Sequence, residues 1–484
     1  MKRSSGIILH PTSLPGKYGI GDLGRGAYKF VDILAEAGQG LWQVLPLGHT
    51  GYGDSPYQCF SAFAGNPFLI NLEGFKDVPE PPEPEEKFDD HRVEYGRVIN
   101  YKYAVLRNAF KDFKKFNDPF FKKNASWLDG YSLYMALKDH FGGKDWGQWD
   151  SDIKLREPGA VASYSKKLEA EVNFYKFLQY EFFKQWGKLK TYANSKGIKI
   201  IGDIPIFVSF DSSDAWANPD LFYFDSDLKP IKVAGVPPDY FSQTGQLWGN
   251  PLYNWKALKK TGYKWWVERI RTTRELFDII RIDHFMGFES YWAIPYGSTT
   301  AVDGIWEKGP GKAVFEAINK SLGKVPFVAE DLGLITPAVK RLRNSLGFPG
   351  MKILQFAFES LNEEDDYLPH RYKPDCVVYT GTHDNDTTAG WYERSSEQVK
   401  EFTKKYLNSD GKDIVWDIIK AAWTSKAVMA LVPLQDILSL NSDARMNTPS
   451  VASGNWQWRF TFEQLTPEIK SRLKDLTKKC GRGL

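Results

Sequence analysis

The sequence predicts an α/β protein, a (β/α)8 TIM barrel with a mainly helical insertion after its second strand. Three observations predict it. Short apolar runs alternate with helical patterns eight times along most of the chain, which is the order of parallel strands each followed by a helix. The runs are apolar on both faces, as strands buried in a parallel sheet must be. Several of them end on an acidic residue, at the end of the strand where such barrels carry their chemistry. An open doubly wound sheet is the rival fold, but neither of its phosphate-binding loops, GxGxxG or GxxxxGK[ST], occurs in the sequence.

Residues 6–10 (GIILH) form the first strand candidate, followed by a proline-bounded loop and a helix over 24–38. Residues 41–47 (LWQVLPL) form the second. The stretch 48–58 is rich in glycine, aromatic and small polar residues and contains Tyr57. Its glycines let backbone approach a ligand closely, and the alternative is a turn-rich connection. Residues 79–86 are all proline or glutamate, so mutual repulsion and fixed φ predict an extended, solvated linker or rim. Helical patterns then run to about residue 196; Val98, Tyr101, Val105, Ala109 and Phe113 share one helix face. The predicted organisation is a catalytic barrel over 1–49 and 197–484, with 50–196 as the inserted helical part.

The alternation resumes at 197–205 (GIKIIGDIP), the third strand, which carries Asp203 near its end. Residues 235–255 read as an aromatic-rich loop bearing Tyr240, Phe241 and Trp248, and 257–274 as a helix. The fourth strand is 277–285, containing Arg281 and Asp283. A helix over 312–322 precedes the fifth strand, 325–330, which ends at Glu330. A helix over 336–346 precedes the sixth, 351–358. The seventh, 375–380, runs into Thr382-His383-Asp384-Asn385-Asp386. Helices over 396–406 and 413–424 lead to the eighth, 427–433, and a helix near 461–477 closes the chain.

Composition narrows the function. With 42% hydrophobic and 25% charged residues, the 484-residue chain can bury a large core, and a net charge of +3 is too small for an electrostatic grip on nucleic acid. No apolar stretch is long enough to span a bilayer, and the N-terminus leads straight into a strand pattern rather than a signal peptide. Cys59, Cys376 and Cys480 are widely spaced with no CxxC, which suits reduced thiols in a cytoplasmic protein. Aromatic content is high, with 17 Trp, 24 Tyr and 32 Phe; most are core, but flat rings also pack on the C–H faces of sugars.

Arg281 and Asp283 lie two apart on a strand and therefore share a face. The guanidinium should keep the carboxylate ionised, as a carboxylate nucleophile requires. The alternative is an ion pair closing the sheet rim. Asp203, Asp283, Glu330 and Asp384 would all reach one mouth, and paired carboxylates are the equipment of glycoside chemistry. A metal site at His383-Asp384-Asn385-Asp386 competes with that reading, although no HxH or HExxH occurs. Asp386 reads as a helix-capping turn residue.

These residues resemble a known family. The segments Ser4-Ser5-Gly6-Ile7-Ile8-Leu9-His10-Pro11-Thr12-Ser13-Leu14-Pro15, Ser55-Pro56-Tyr57-Gln58, Gly202-Asp203-Ile204-Pro205, Pro238-Asp239-Tyr240-Phe241-Ser242, Gly245-Gln246-Leu247-Trp248-Gly249-Asn250-Pro251, Arg281-Ile282-Asp283-His284-Phe285, Ala329-Glu330-Asp331-Leu332-Gly333 and Thr382-His383-Asp384-Asn385 resemble the amylomaltases. These are 4-α-glucanotransferases or disproportionating enzymes, glycoside hydrolase family 77 of the α-amylase clan, and the segments run in family order over nearly the whole chain. The resemblance implies that Asp283 is the nucleophile, Glu330 the general acid and then base, and Asp384 with His383 the holder of sugar hydroxyls. It implies that Arg281 positions Asp283 and that Asp203 supports the site. Tyr57, Tyr240, Phe241, Trp248 and Asn447 are expected to face the glucan. The implied substrates are α-1,4-glucan donors and acceptors, with glucose among the acceptors, and neither cofactor nor metal is needed. A monomer is expected.

An α-glucan hydrolase would use the same residues, and a non-catalytic glucan-binding module is a third reading. Two expectations follow for the carboxyl pair. Asp283 and Glu330 should face each other at about 5–5.5 Å, the retaining spacing. Asp283 should be ionised and Glu330 should have the raised pKa.

Overall fold

Eight parallel strands curve into one sheet in the order Gly350–Ile353, Cys376–Tyr379, Met429–Pro433, Ser4–Ile8, Leu41–Gln43, Lys199–Pro205, Ile279–Asp283 and Phe327–Ala329. The computed structural model describes residues 2–75, 83–238, 242–333 and 335–484. The ring closes where Ala329 N–H donates to Pro349 C=O at 3.0 Å. With helices outside and strand neighbours parallel throughout, this is a (β/α)8 barrel. One set of side chains, including Ile8, Leu41, Ile201, Val328, Val377 and Leu431, fills its interior. Each expected strand has its counterpart; the first is the same length but begins two residues earlier, and the others are shorter. The apolar runs continue into buried connections, and sequence alone cannot mark where ladder bonding stops.

Three expectations are corrected. The sixth strand stops at Ile353, and Leu354–Glu359 is a helix; its Leu354, Ala357 and Phe358 are buried at helical spacing, which a short apolar run conceals. The helix read at 257–274 is two, Trp255–Lys260 and Lys264–Leu276, parted where Gly262 and Tyr263 adopt left-handed φ of 65° and 57°. Residues 235–255 are not simply a loop. Lys232–Val236 and Gln246–Pro251 join Ser290–Pro295 and Ile305–Lys308 in a four-stranded antiparallel sheet over the barrel mouth. Its glycines, prolines and polar residues hide the strand alternation. Tyr240, Phe241 and positions 76–82, which take in the first half of the proline- and glutamate-rich stretch, lie outside the described residues.

The segment after the second strand is helical, with Tyr95–Lys111, Pro119–His140, Ser151–Lys154, Pro158–Lys167 and Glu169–Ser195. It does not form a separate core. Trp186, on the last of these helices, packs against Trp42 of the second barrel strand at 6.4 Å. Its indole N–H donates to Leu276 C=O at 2.8 Å. The helix Glu169–Ser195 therefore also fills the place of the helix joining strands two and three. Lys102 ties the insertion to the chain below it. Fully buried, its ammonium donates to the carbonyls of Phe68 (2.7 Å) and Ile70 (2.9 Å) and lies 3.8 Å from Asp22.

Lys102→Met should lower stability by about 3 kcal/mol, because two buried carbonyls and a buried aspartate lose their counter-charge. A shift in the denaturation midpoint with native activity retained in the folded fraction is the expected result.

Candidate active site

Three strand ends place their acids around one guanidinium. Arg281 is 2% exposed. Its Nη1 donates to Asp203 Oδ2 and, at 3.2 Å, to Asp283 Oδ1. Its Nη2 lies 3.2 Å from Glu330 Oε2. Burial alone would lower the arginine pKa, but Asp203, Glu330 and Asp283 outweigh it and hold the charge in place. The guanidinium fork can serve several carboxylates at once because its donors diverge in a rigid plane.

Backbone holds the acid/base candidate to the nucleophile candidate. Glu330 N–H donates to Ile282 C=O at 3.0 Å, and Phe285 N–H donates to Glu330 C=O at 3.2 Å. His284 N–H donates to Glu330 Oε2 at 2.7 Å. For that, His284 adopts φ 50° and ψ 48°, a left-handed conformation few side chains take up. Asp283 and Glu330 are also hydrogen-bonded to each other through their side chains.

The charge distribution differs from expectation. Burial, followed by the charge of Glu330, pushes the Asp283 pKa well above the usual aspartate range. Burial also works to raise Glu330, but Arg281, the Asp283 hydrogen bond and His284 N–H outweigh it and hold Glu330 below its ordinary value. The surroundings therefore favour the charged form more at Glu330 than at Asp283. The expectation assumed that Arg281 serves Asp283 alone, whereas its other nitrogen faces Glu330.

Asp384 stands across the mouth. Its Oδ1 accepts from Asn447 Nδ2 at 2.7 Å, and its Oδ2 is 3.4 Å from His383 Nε2. Asn447 N–H donates to His383 C=O at 3.1 Å, and Arg445 Nη2 donates to Asp384 C=O at 2.5 Å. Tyr57 stacks on His383 with ring centres 5.0 Å apart and 14° between planes. Its hydroxyl donates to Asp203 Oδ2 at 2.8 Å. Burial and the neighbouring Asp203 push the phenol pKa well up, so it remains a donor. Exposure separates the acids. The side chains of Asp283 and Asp384 are 27% and 48% exposed and can meet a ligand, whereas Asp203 is fully buried and acts through Arg281 and Tyr57.

Trp248, on Gln246–Pro251, meets His284 edge-on with ring centres 4.8 Å apart. Every predicted site residue among the described ones thus lies around one mouth. Asp386 is no helix cap: Thr387 caps Thr388–Arg394, while Asp386 accepts from Ser442 at 2.9 Å and pairs with Arg394. Sequence reasoning missed the clamping role of Arg445, the left-handed turn at His284 and Trp456, which lies 6.0 Å from the Tyr57 ring. Arg445 shares a short motif with Asn447 and was findable from it; the turn and the ring contact carry no sequence mark. Among the described residues, no cluster of three or more His, Cys, Asp and Glu side chains could hold a metal ion.

Comparison with known proteins adds to the geometry. The family model for 4-alpha-glucanotransferase matches residues 9–465. The chain belongs to the 4-alpha-glucanotransferase family. Within it, the chain is 48% identical to a 4-alpha-glucanotransferase of Clostridium butyricum over 98% of this chain and all of that one. It is 47% identical to a family member from Thermus thermophilus over 100% of this chain and 99% of that one. The amylomaltase of Streptococcus agalactiae, solved in complex with acarbose, superposes with a TM-score of 0.96 at 41% identity, covering both chains in full.

In a family member whose buried arginine forks to three carboxylates, lysine is a poor substitute. Arg281→Lys should reduce kcat/KM for maltotriose by roughly 100-fold or more while leaving the fold intact, as steady-state kinetics and circular dichroism would record.

Proposed function

We propose that this chain transfers segments of α-1,4-glucan from donor to acceptor glucans by a retaining double displacement. The observation carrying the proposal is the Asp283–Glu330 pair, both carboxylates held on one guanidinium. Retention needs one negative charge and one proton in such a pair. The productive form has the proton on Glu330 and the charge on Asp283, reached by a proton shift within the pair. A glucan entering the mouth would favour that shift by presenting its glycosidic oxygen to Glu330.

In the first half-reaction, Asp283 forms a bond to the anomeric carbon as the bond to the leaving O4 breaks, and Glu330 gives its proton to that oxygen. In the second, the 4-hydroxyl of an acceptor gives its proton to Glu330 and attacks the anomeric carbon, releasing Asp283. Asp384, oriented by Asn447 and His383, would hold hydroxyls of the distorted sugar, and Tyr57 would line the same subsite. Tyr240, Phe241 and Trp248 would contact the acceptor side. The chemistry requires no cofactor. Donors are maltodextrins and amylose-like chains from starch or glycogen metabolism, and glucose serves as an acceptor. Three unpaired cysteines support a cytoplasmic setting, and among the described residues no helix is long and apolar enough to cross a membrane.

Maltotriose tests the reading. Transfer yields glucose plus longer oligomers, hydrolysis only shorter sugars, and a binding module neither. Glu330→Gln should slow transfer from maltotriose by roughly 100-fold or more, yet spare a glycosyl fluoride, whose leaving group needs no proton. Equal loss on both donors removes Glu330 from the acid role.

The rate should fall in acid only when Glu330 takes a second proton, below the ordinary glutamate value of 4.5. It should fall in alkali only when the pair loses its proton, well above the ordinary aspartate value of 3.8. A kcat/KM profile with its acid limb above the ordinary glutamate value would contradict this order.

Water competes for the glucosyl intermediate, so transfer depends on a bound acceptor and a screened anomeric carbon. Trp248→Ala should raise the free glucose and reducing ends released per transfer event. An unchanged ratio in a folded variant removes Trp248 from the acceptor wall.

A further inference from the structure

Large hydrophobic side chains exposed to solvent are unevenly placed. Among the described residues there are eleven, and six of them, Ile231, Leu247, Tyr296, Val302, Ile305 and Trp306, lie on or beside the four-stranded antiparallel sheet. Such concentration marks a surface that binds something.

Strand register shows how the surface is built. Leu247 pairs with Gly235, Gly235 with Trp292, and Trp292 with Trp306. Directly opposed residues share a face, so these four form one row across the sheet, spanning roughly 14 Å at ordinary strand spacing. The far end is rigid. Trp292 Nε1 donates to Ala301 C=O at 2.8 Å, and Gly304 lies so close that an added Cβ would sit 2.2 Å from that nitrogen. Trp306 leans against this fixed indole, with ring centres 5.3 Å apart and 67° between planes, and is 45% exposed.

We propose that this outer face holds a second stretch of the α-glucan chain, away from the reacting bond. The proposal rests on the activity proposed above. Three observations select the glucan over a protein partner. The near end of the row is continuous with the cleft: Leu247 is followed on the same strand by Trp248, which points to the opposite face beside His284. The surface offers an exposed indole, Trp306, braced edge-on against the fixed Trp292, which suits the flat C–H face of a sugar. The row is narrow, has no side chain at Gly235, and is flanked on the same face by the exposed Lys308, paired with Glu289 at 2.6 Å. That offers hydroxyl partners and leaves little continuous apolar area for a protein core. A donor polymer is longer than the cleft, and the part lying outside needs a path.

The test compares long and short substrates. Trp306→Ala, at an exposed position, should keep the wild-type denaturation midpoint. Its kcat and KM for maltotriose should stay within about twofold of wild type, whereas KM for long amylose rises roughly three- to tenfold. Native gels containing amylose should retard it less than wild type, and Trp306→Phe should restore most of both effects. Unchanged amylose KM and retardation overturn the proposal. So does an equal loss on maltotriose, or a change of sedimentation coefficient with amylose binding intact, which assigns the face to a second copy of the chain. If the wild type transfers nothing from maltotriose, the activity falls, while the gel retardation still reads the surface by itself.

Discussion

The site depends on burying one positive charge among three negative ones. A guanidinium removed from water is costly unless its donors are matched, and Arg281 is matched by carboxylates brought from three strands: Asp203, Asp283 and Glu330. That requirement explains the neighbours. Asp203 is fully buried and also receives the Tyr57 hydroxyl, so the same ion network that steadies Asp283, the proposed nucleophile, fixes the ring that backs His383. Barrel closure and site geometry are one problem, since the strands must sit in register before their ends can share a cation.

The barrel was legible because its signal is repeated. Any single run, such as residues 41–47, is ambiguous, but eight runs alternating with helices leave little else. The acids were legible because a parallel strand has a polarity that sequence order reveals, and Asp283, Glu330 and Asp384 fall at the ends where ligands bind. The electrostatic bias between Asp283 and Glu330 was not legible. It depends on which carboxylates the two arms of Arg281 reach, and strand alternation says nothing about Glu330 on the neighbouring strand.

The antiparallel sheet was hidden for a different reason. Lys232–Val236 and Gln246–Pro251 carry Gly235, Gly249 and Pro251, and their alternation is weak. What makes them strands is partnership with Ser290–Pro295, far along the chain. Tertiary pairing overrode local preference there. The insertion taught a similar lesson, since its helices share one apolar cluster with the barrel's outer wall and cannot be delimited by composition alone.

The left-handed turn at His284 has a mechanical consequence. Three bonds, from Glu330 N–H to Ile282, from His284 N–H to the Glu330 carboxylate and from Phe285 N–H to the Glu330 carbonyl, stitch Glu330, the proposed acid/base, to both sides of Asp283. The two carboxyl groups are therefore mounted on a common bracket. Any displacement of the strand end that carries Asp283, the proposed nucleophile, is passed by these bonds to Glu330. A reaction whose second half retraces its first through the same two residues works only with a gauge that does not drift between strokes.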